Sequence, residues 1–228
     1  MNKLIIKNGA IITDTQGIMI NSTLNIASGV DSTANGNNTQ ATGDYSSTNG
    51  QATIASGDFS VAEGQTTTSS GELSHSGGLG TVTPNINEWG RAYDYGGTYG
   101  LAQYGFANWV GQSTTNLLNQ ELFLDGGAGR FAIPANSVFG FEVTAVAVNI
   151  ATGAAKMFTG TGLVKNIGGT TSIVGTPTYT TVAQDASMTA VLFQMLANNA
   201  NDTIYAAVSG IAATNINYNV TMKYTALK

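Results

Sequence analysis

Glycine stands at positions 29, 36, 43, 50, 57, 64, 71 and 78, a strict spacing of seven residues. No other feature restricts the fold of this chain as strongly. A seven-residue period first suggests a coiled coil. The segments VDSTANG, NNTQATG, DYSSTNG, QATIASG, DFSVAEG, QTTTSSG and ELSHSGG carry no apolar a and d seam, which a coiled coil requires. A glycine every second turn would also cost a helix about 1 kcal/mol each. The segments alternate in kind. DYSSTNG, DFSVAEG and ELSHSGG share an acid, a large apolar residue and a serine, and those between them are rich in Gln, Asn and Thr. Serine recurs at 32, 46, 60 and 74, so the true unit is fourteen residues. That length suits two short strands and two turns, one coil of a β-solenoid that must stack on its neighbours to bury a face. Alternate strand residues point inward, Ser, Thr and Ala fill a narrow interior, and the glycines are expected to turn the corners because they accept φ > 0.

Coils stack at about 4.8 Å, so a ladder of roughly three to four coils makes a rod only ~15–20 Å long. So thin a roll has little apolar core of its own. A parallel homotrimer is expected, with Tyr45, Phe59 and Leu73, fourteen residues apart, forming an apolar file covered by sister copies.

The sequence predicts four segments: 1–28, 29–78, 79–118 and 119–228. In the first, LIIKNGAIIT (4–13) places two apolar runs around Asn8-Gly9, a hairpin signal. An isolated hairpin is marginal in water, so it needs its own domain, another copy, or a docking site. The third segment holds both tryptophans and many tyrosines. Aromatics bury large areas, so a connecting neck is expected, with a sugar-stacking surface as the alternative. In the fourth, ELFLD, GRFAIP, SVFGFEVTAVAVNIA, KMFTGTGLVKN, TSIVG, MTAVLFQMLA, TIYAAVSG and NYNVTMKYTA are short apolar or alternating runs between turn residues. They predict a jelly-roll-like β-sandwich. FEVTAVAVNI could bury Phe141, Val143, Ala145, Ala147 and Asn149, or the opposite set Glu142, Thr144, Val146, Val148 and Ile150. The expected class is therefore all-β, a short trimeric β-roll followed by a β-sandwich.

Charged residues are only 9% of the chain, against about a quarter in ordinary domains. The net charge of −5 and 42% hydrophobic content argue for a folded chain and not a disordered polar one. Eight scattered Lys and Arg form no basic stripe, so no nucleic-acid partner is expected. The chain has no cysteine, which removes thiolate chemistry and disulfides. MNKLIIKNGAIITD does not read as a secretory signal, and no run approaches the ~20 apolar residues of a membrane span. No membrane insertion is expected.

Little in the sequence points to chemistry. His75 is the only histidine, so no catalytic triad or two-histidine metal site can be built around it in one chain; three copies on a trimer axis could bind a metal. Asp44, Asp58 and Glu72, fourteen residues apart, look like turn or capping residues more than the paired carboxylates of a glycosidase, and a Ca²⁺ between them has weak support. GGAG (126–129) and GTG (160–162) lack the context of a phosphate loop and read as turns. No catalytic, cofactor-binding or metal residue is expected, and the chain is expected to be non-enzymatic.

The ladder, with SVAEG (60–64) and ELSHSGG (72–78), resembles the head repeats of YadA-type trimeric adhesins. It resembles more closely the SHAEG-type repeats of phage tail and structural proteins. ELFLDGGAGRFAIPANS (121–137), GTTSIVG (169–175), AQDAS (183–187) and VSGIAATNINYNVTMKY (208–224) resemble a sandwich domain that follows such repeats in phage proteins, and GRAYDYGGTYGLAQYGFANWVGQSTTN resembles a link between the two. GVDSTANGNNTQ departs from the pattern by lacking its Ala-rich interior. The resemblance implies a trimeric, tail-associated bacteriophage fibre involved in host attachment. It would be made in the host cytoplasm, displayed on the virion exterior, mounted through its N-terminal segment, and in contact with a host glycan or protein. A capsid-attached head fibre or decoration protein is the alternative, and a glycan-cleaving tailspike a third.

Overall fold

The computed structural model describes residues 4–6, 10–13, 17–20, 24–93, 102–117 and 119–228. They belong to two units, Met1–Gly105 and Phe106–Lys228. The first begins with β1 (Leu4–Ile6), β2 (Ala10–Thr13) and β3 (Gly17–Ile20). β1 pairs antiparallel with β2 in the register Leu4↔Ile12, as the hairpin reading requires; its turn, 7–9, lies outside the described residues. β2 pairs antiparallel with β3, and β3 joins the solenoid sheet in parallel. The hairpin is thus attached to its own domain.

Each fourteen-residue coil then gives one strand to each of two parallel sheets. The short strands are β4 (Ile26–Ala27), β6 (Gln40–Ala41), β8 (Ile54–Ala55), β10 (Thr68–Ser69) and β12 (Val82–Thr83). The longer ones are β5 (Thr33–Asn37), β7 (Ser47–Gln51), β9 (Val61–Gln65), β11 (His75–Gly78) and β13 (Trp89–Ala92). Partners lie fourteen residues apart throughout: Thr33↔Ser47↔Val61↔His75↔Trp89 on one sheet and Ile26↔Gln40↔Ile54↔Thr68↔Val82 on the other. The first unit is a β-solenoid of five coils, and it runs one strand pair beyond the last ladder glycine.

The ladder glycines meet the sequence expectation in part. Gly29, Gly43, Gly57 and Gly71 open the corner turns, each accepting from the amide of the serine three residues on at 3.2–3.3 Å. Gly36, Gly50, Gly64 and Gly78 take φ > 0, but the left-handed residue of each corner lies two residues further on. Left-handed backbone recurs every seven residues at Asp31, Asn38, Tyr45, Ala52, Phe59, Thr66, Leu73 and Asn87, with φ from 50° to 58°, and at Gly80 with φ 74°. All eight ladder glycines also answer a second need. At Gly29, Gly43 and Gly57 an added Cβ would overlap the carbonyl of the glycine one coil on, and at Gly71 that of Asn85. Gly36, Gly50, Gly64 and Gly78 face the same overlap and also have φ between 92° and 132°. Their absent side chains let the coils approach closely.

The interior is made of small residues. Ala27, Ala34, Ala41, Ala55 and Ala62 are buried, with Ser32, Ser46, Ser60, Ser74 and Thr39, Thr53, Thr67, Thr81 alongside. Larger polar residues replace them at the ends. Asn25 stands one coil before Thr39; its Oδ1 accepts from Thr39 N at 3.0 Å and its Nδ2 donates to Gly36 O at 2.9 Å. Glu88 stands one coil after Ser74, is buried, and accepts from Asn85 N and Nδ2, both at 3.0 Å. Each end of the narrow core is thereby closed by a side chain that reaches backbone groups or a neighbouring amide.

The second unit is built from β14 (Ala102–Ser113), β15 (Gln120–Leu122), β16 (Phe131–Ala132), β17 (Ser137–Asn149), β18 (Ala155–Ile167), β19 (Thr170–Ile173), β20 (Thr178–Gln184), β21 (Leu192–Asn198), β22 (Thr203–Ser209) and β23 (Ile216–Leu227). One sheet runs β14-β23-β17-β18, with β19 and β20 both paired to β18. The other holds β15, β16 and β21 around β22. Aromatic rings join the two. Phe131 meets Trp109, Phe139 and Tyr224 at centroid distances of 5.9, 6.0 and 5.5 Å, and Phe193 meets Phe158 at 5.8 Å and Tyr179 at 5.6 Å. Tyr218 donates to Ser209 O at 3.0 Å, and burial pushes its phenol well above the usual range.

β17 resolves the open register: Phe141, Val143, Ala145, Ala147 and Asn149 are buried, and Glu142, Val146 and Ile150 are exposed. The GGAG segment is a turn, closed by Asp125 Oδ1 accepting from the amides of Gly127, Ala128 and Gly129 at 2.8–2.9 Å. The GTG reading as a turn is corrected. Gly160 and Gly162 sit inside β18, where a Cβ would strike the rings of Tyr179 and Phe141. They are glycines because the aromatic core needs their space.

Candidate functional site: the apolar corner of the solenoid

One corner of the solenoid carries Asp31, Tyr45, Phe59, Leu73 and Asn87, all at positive φ. Asp and Asn tolerate this backbone; for bulky residues it is strained by roughly 1–2 kcal/mol each. Tyr45, Phe59 and Leu73 nevertheless hold it, and they point outward, with 52%, 51% and 51% of their surface exposed. Their backbone is fixed by the preceding coil: Tyr45 N donates to Val30 O, Phe59 N to Asp44 O and Leu73 N to Asp58 O, at 2.7–2.9 Å. The rings of Tyr45 and Phe59 stack at 4.9 Å with an 8° interplanar angle. Sequence spacing identified this file; it did not reveal the strain.

The acids beside the file cap backbone. Val30 N donates to Asp44 Oδ1 at 2.8 Å, and Asp44 N to Asp58 Oδ1 at 2.9 Å. Each carboxylate thus ties its coil to the one before. His75 lies on β11 with Nε2 3.2 Å from Glu63 Oε1 and its ring edge-on to Trp89 at 6.1 Å. Among the described residues no group of three or more His, Asp or Glu is placed to hold a metal ion. No described helix is long and apolar enough to cross a membrane.

No family model matches the chain, and no curated protein matches it. Among solved structures it is similar to tailspike gp49 of Acinetobacter baumannii bacteriophage Fri1, a capsular polysaccharide depolymerase, at 12% identity and TM-score 0.30, over 91% of this chain and 40% of that one. It is also similar to the tailspike of Acinetobacter baumannii phage AM24, at 10% identity and TM-score 0.33, over 81% of this chain and 37% of that one. A third is the tailspike of Acinetobacter phage vB_ApiP_P1, at 10% identity and TM-score 0.25, over 90% and 46%. The chain spans less than half the length of these solved chains. The expectation of a non-enzymatic chain is set aside here, because the similar structures are tailspikes and one is a depolymerase.

Proposed function

We propose that this chain is a section of a trimeric phage tail appendage of the tailspike kind, acting at polysaccharide on the host surface. The trimer is carried by one observation: three bulky apolar side chains held half-exposed on a strained corner. The left-handed corner recurs on both sides of the coil, but only this side places three bulky apolar residues on it, and an apolar file on a core of alanine and serine is best used by a sister copy. The tail location and the polysaccharide follow the tailspikes to which the chain is similar. In this reading the coils are SHAEG-type, YadA-head-like repeats that serve as a spacer. The N-terminal strands face the virion, and the second unit is a jelly-roll-like β-sandwich facing the host.

Light scattering of the purified chain at micromolar concentration should give a trimer mass, and a monomer mass would sink the trimer. Host capsule incubated with the protein should release reducing ends, and an unchanged capsule would remove glycan processing. Immunogold labelling of particles should mark the tail; labelling of the head would return the capsid-fibre reading.

A further inference from the structure

The outer face of the larger sheet in the second unit carries a groove of about 240 Å³. Strand register builds it from two rows. Glu142, Thr161 and Thr178 stand opposite one another across β17, β18 and β20, and Thr144, Thr159 and Thr180 form the parallel row two residues on. The floor between them is Val143 and Gly160; Val143 is buried and the Cβ position of Gly160 faces the Tyr179 ring of the core, so neither side chain fills the groove. β23 extends the rows with Lys223 opposite Glu142 and Thr221 opposite Thr144.

Polar capacity here is left unused by the protein. Among the described residues, Glu142 and Lys223 form no ion pair although they face each other, and the five groove threonines make no side-chain hydrogen bond. Thr221, by contrast, is paired with Asn108 at 3.2 Å. β-Branching restricts χ1, so each hydroxyl loses little freedom when a ligand arrives. Along a row they repeat with the strand spacing of about 4.8 Å, and the rows lie ~7 Å apart. An extended glycan crossing the strands presents hydroxyl groups on a comparable repeat. A protein partner is a poor fit, because the groove lacks the buried aromatic or Arg anchors that carry such interfaces.

We propose that this groove binds a neutral, hydroxyl-rich stretch of polysaccharide laid across β23, β17, β18 and β20. Glu142 accepts from adjacent sugar hydroxyls, and the threonines donate and accept along both edges. Glu142 and Lys223, facing each other in one row, leave the groove with no net charge, which suits a neutral glycan. The assignment rests on the polysaccharide reading above and gives it a surface.

The test is an array of immobilised neutral and acidic bacterial capsular polysaccharides probed with the full chain, with E142Q, and with the double variant T144V/T159V. Valine keeps the shape and strand preference of threonine, and unchanged melting and mass would show that the fold is intact. T180V, at an exposed position, serves if the double variant misfolds. Neutral polysaccharide should bind the parent chain, and each variant should bind it roughly five- to tenfold more weakly, as expected for loss of one or two hydrogen bonds. Equal binding by parent and variants overturns the groove and leaves the polysaccharide reading standing. Binding of acidic polysaccharide alone overturns the groove's chemistry. No binding by the parent chain overturns both.

Discussion

The two units solve one problem, the closure of a β-structure over a core, by opposite means. The solenoid has almost no large buried side chain, and its coils are held by backbone ladders, carboxylate caps and the absence of Cβ atoms at the glycines. The second unit holds its sheets with interlocked rings around Phe131 and Phe193. Adding an atom should therefore injure the first unit at every ladder glycine, against backbone, and removing ring atoms should injure the second.

The strongest challenge to that contrast is Gly57→Ala. A single methyl there would overlap the Gly71 carbonyl and lie 2.9 Å from Ser70 O, and all three of its nearest atoms are backbone of the next coil. Nothing flexible can yield, so the coils must part. The expected cost exceeds about 5 kcal/mol, which is exceptional for one substitution, and loss of the solenoid should show in hydrogen exchange at residues 33–69. Gly153→Ala is the control: its Cβ meets nothing within 4 Å, and only φ of 74° is unfavourable. A loss of about 1 kcal/mol is expected. Equal losses at both sites would end the close-approach account.

In the second unit the matching experiment is Phe131→Ala. The ring is fully buried among Trp109, Phe139 and Tyr224, and its removal should cost about 3–5 kcal/mol in denaturant melts. A cost below 1 kcal/mol would mean that the sheets are held by something other than this cluster.

How legible each unit was in sequence follows from the same contrast. A solenoid writes its period into the chain, because each coil solves the same packing problem as the last; hence the glycines and serines exposed the coil. The close approach at the glycines was not legible, since it demands the same residue that a corner does. In the second unit, alternation marked β17 and β23. β20 was missed because nearly every residue of TYTTVAQ is exposed and no alternation marks it. β14 was missed because its aromatics suggested a neck. The threonine groove was illegible because its residues come from three strands and meet only through register.

A smaller effect separates the loops from both cores. The amides of Gly129 and Gly127, followed by Ala128, hold the Asp125 carboxyl below its ordinary value of 3.8. The folded state thus binds a proton less readily than the unfolded one. This stability is complete above the ordinary value and is lost as pH falls through the lowered one. Asp125→Asn should cost about 1 kcal/mol at neutral pH, given its exposure, and should flatten acid melts of the second unit below pH ~4. Unchanged acid melts would remove the carboxylate from the loop's support.

The smallest expected change in fold stability has the largest consequence for assembly. Phe59 sits at φ 57° on the exposed corner, a backbone that Asn accepts far more readily than a bulky ring. Phe59→Asn should therefore leave the coil as stable as before, or stabilise it by less than ~1 kcal/mol. It also removes the middle member of the file formed with Tyr45 and Leu73. If the file is covered by sister copies, the variant should melt normally at high concentration yet dissociate on dilution, with its mass falling in light scattering. If it keeps its trimer mass at every dilution, the strained ring is not what holds the copies together. If instead the coil itself unfolds, the stacked rings brace the solenoid from outside, and its core is less self-sufficient than its backbone ladders suggest.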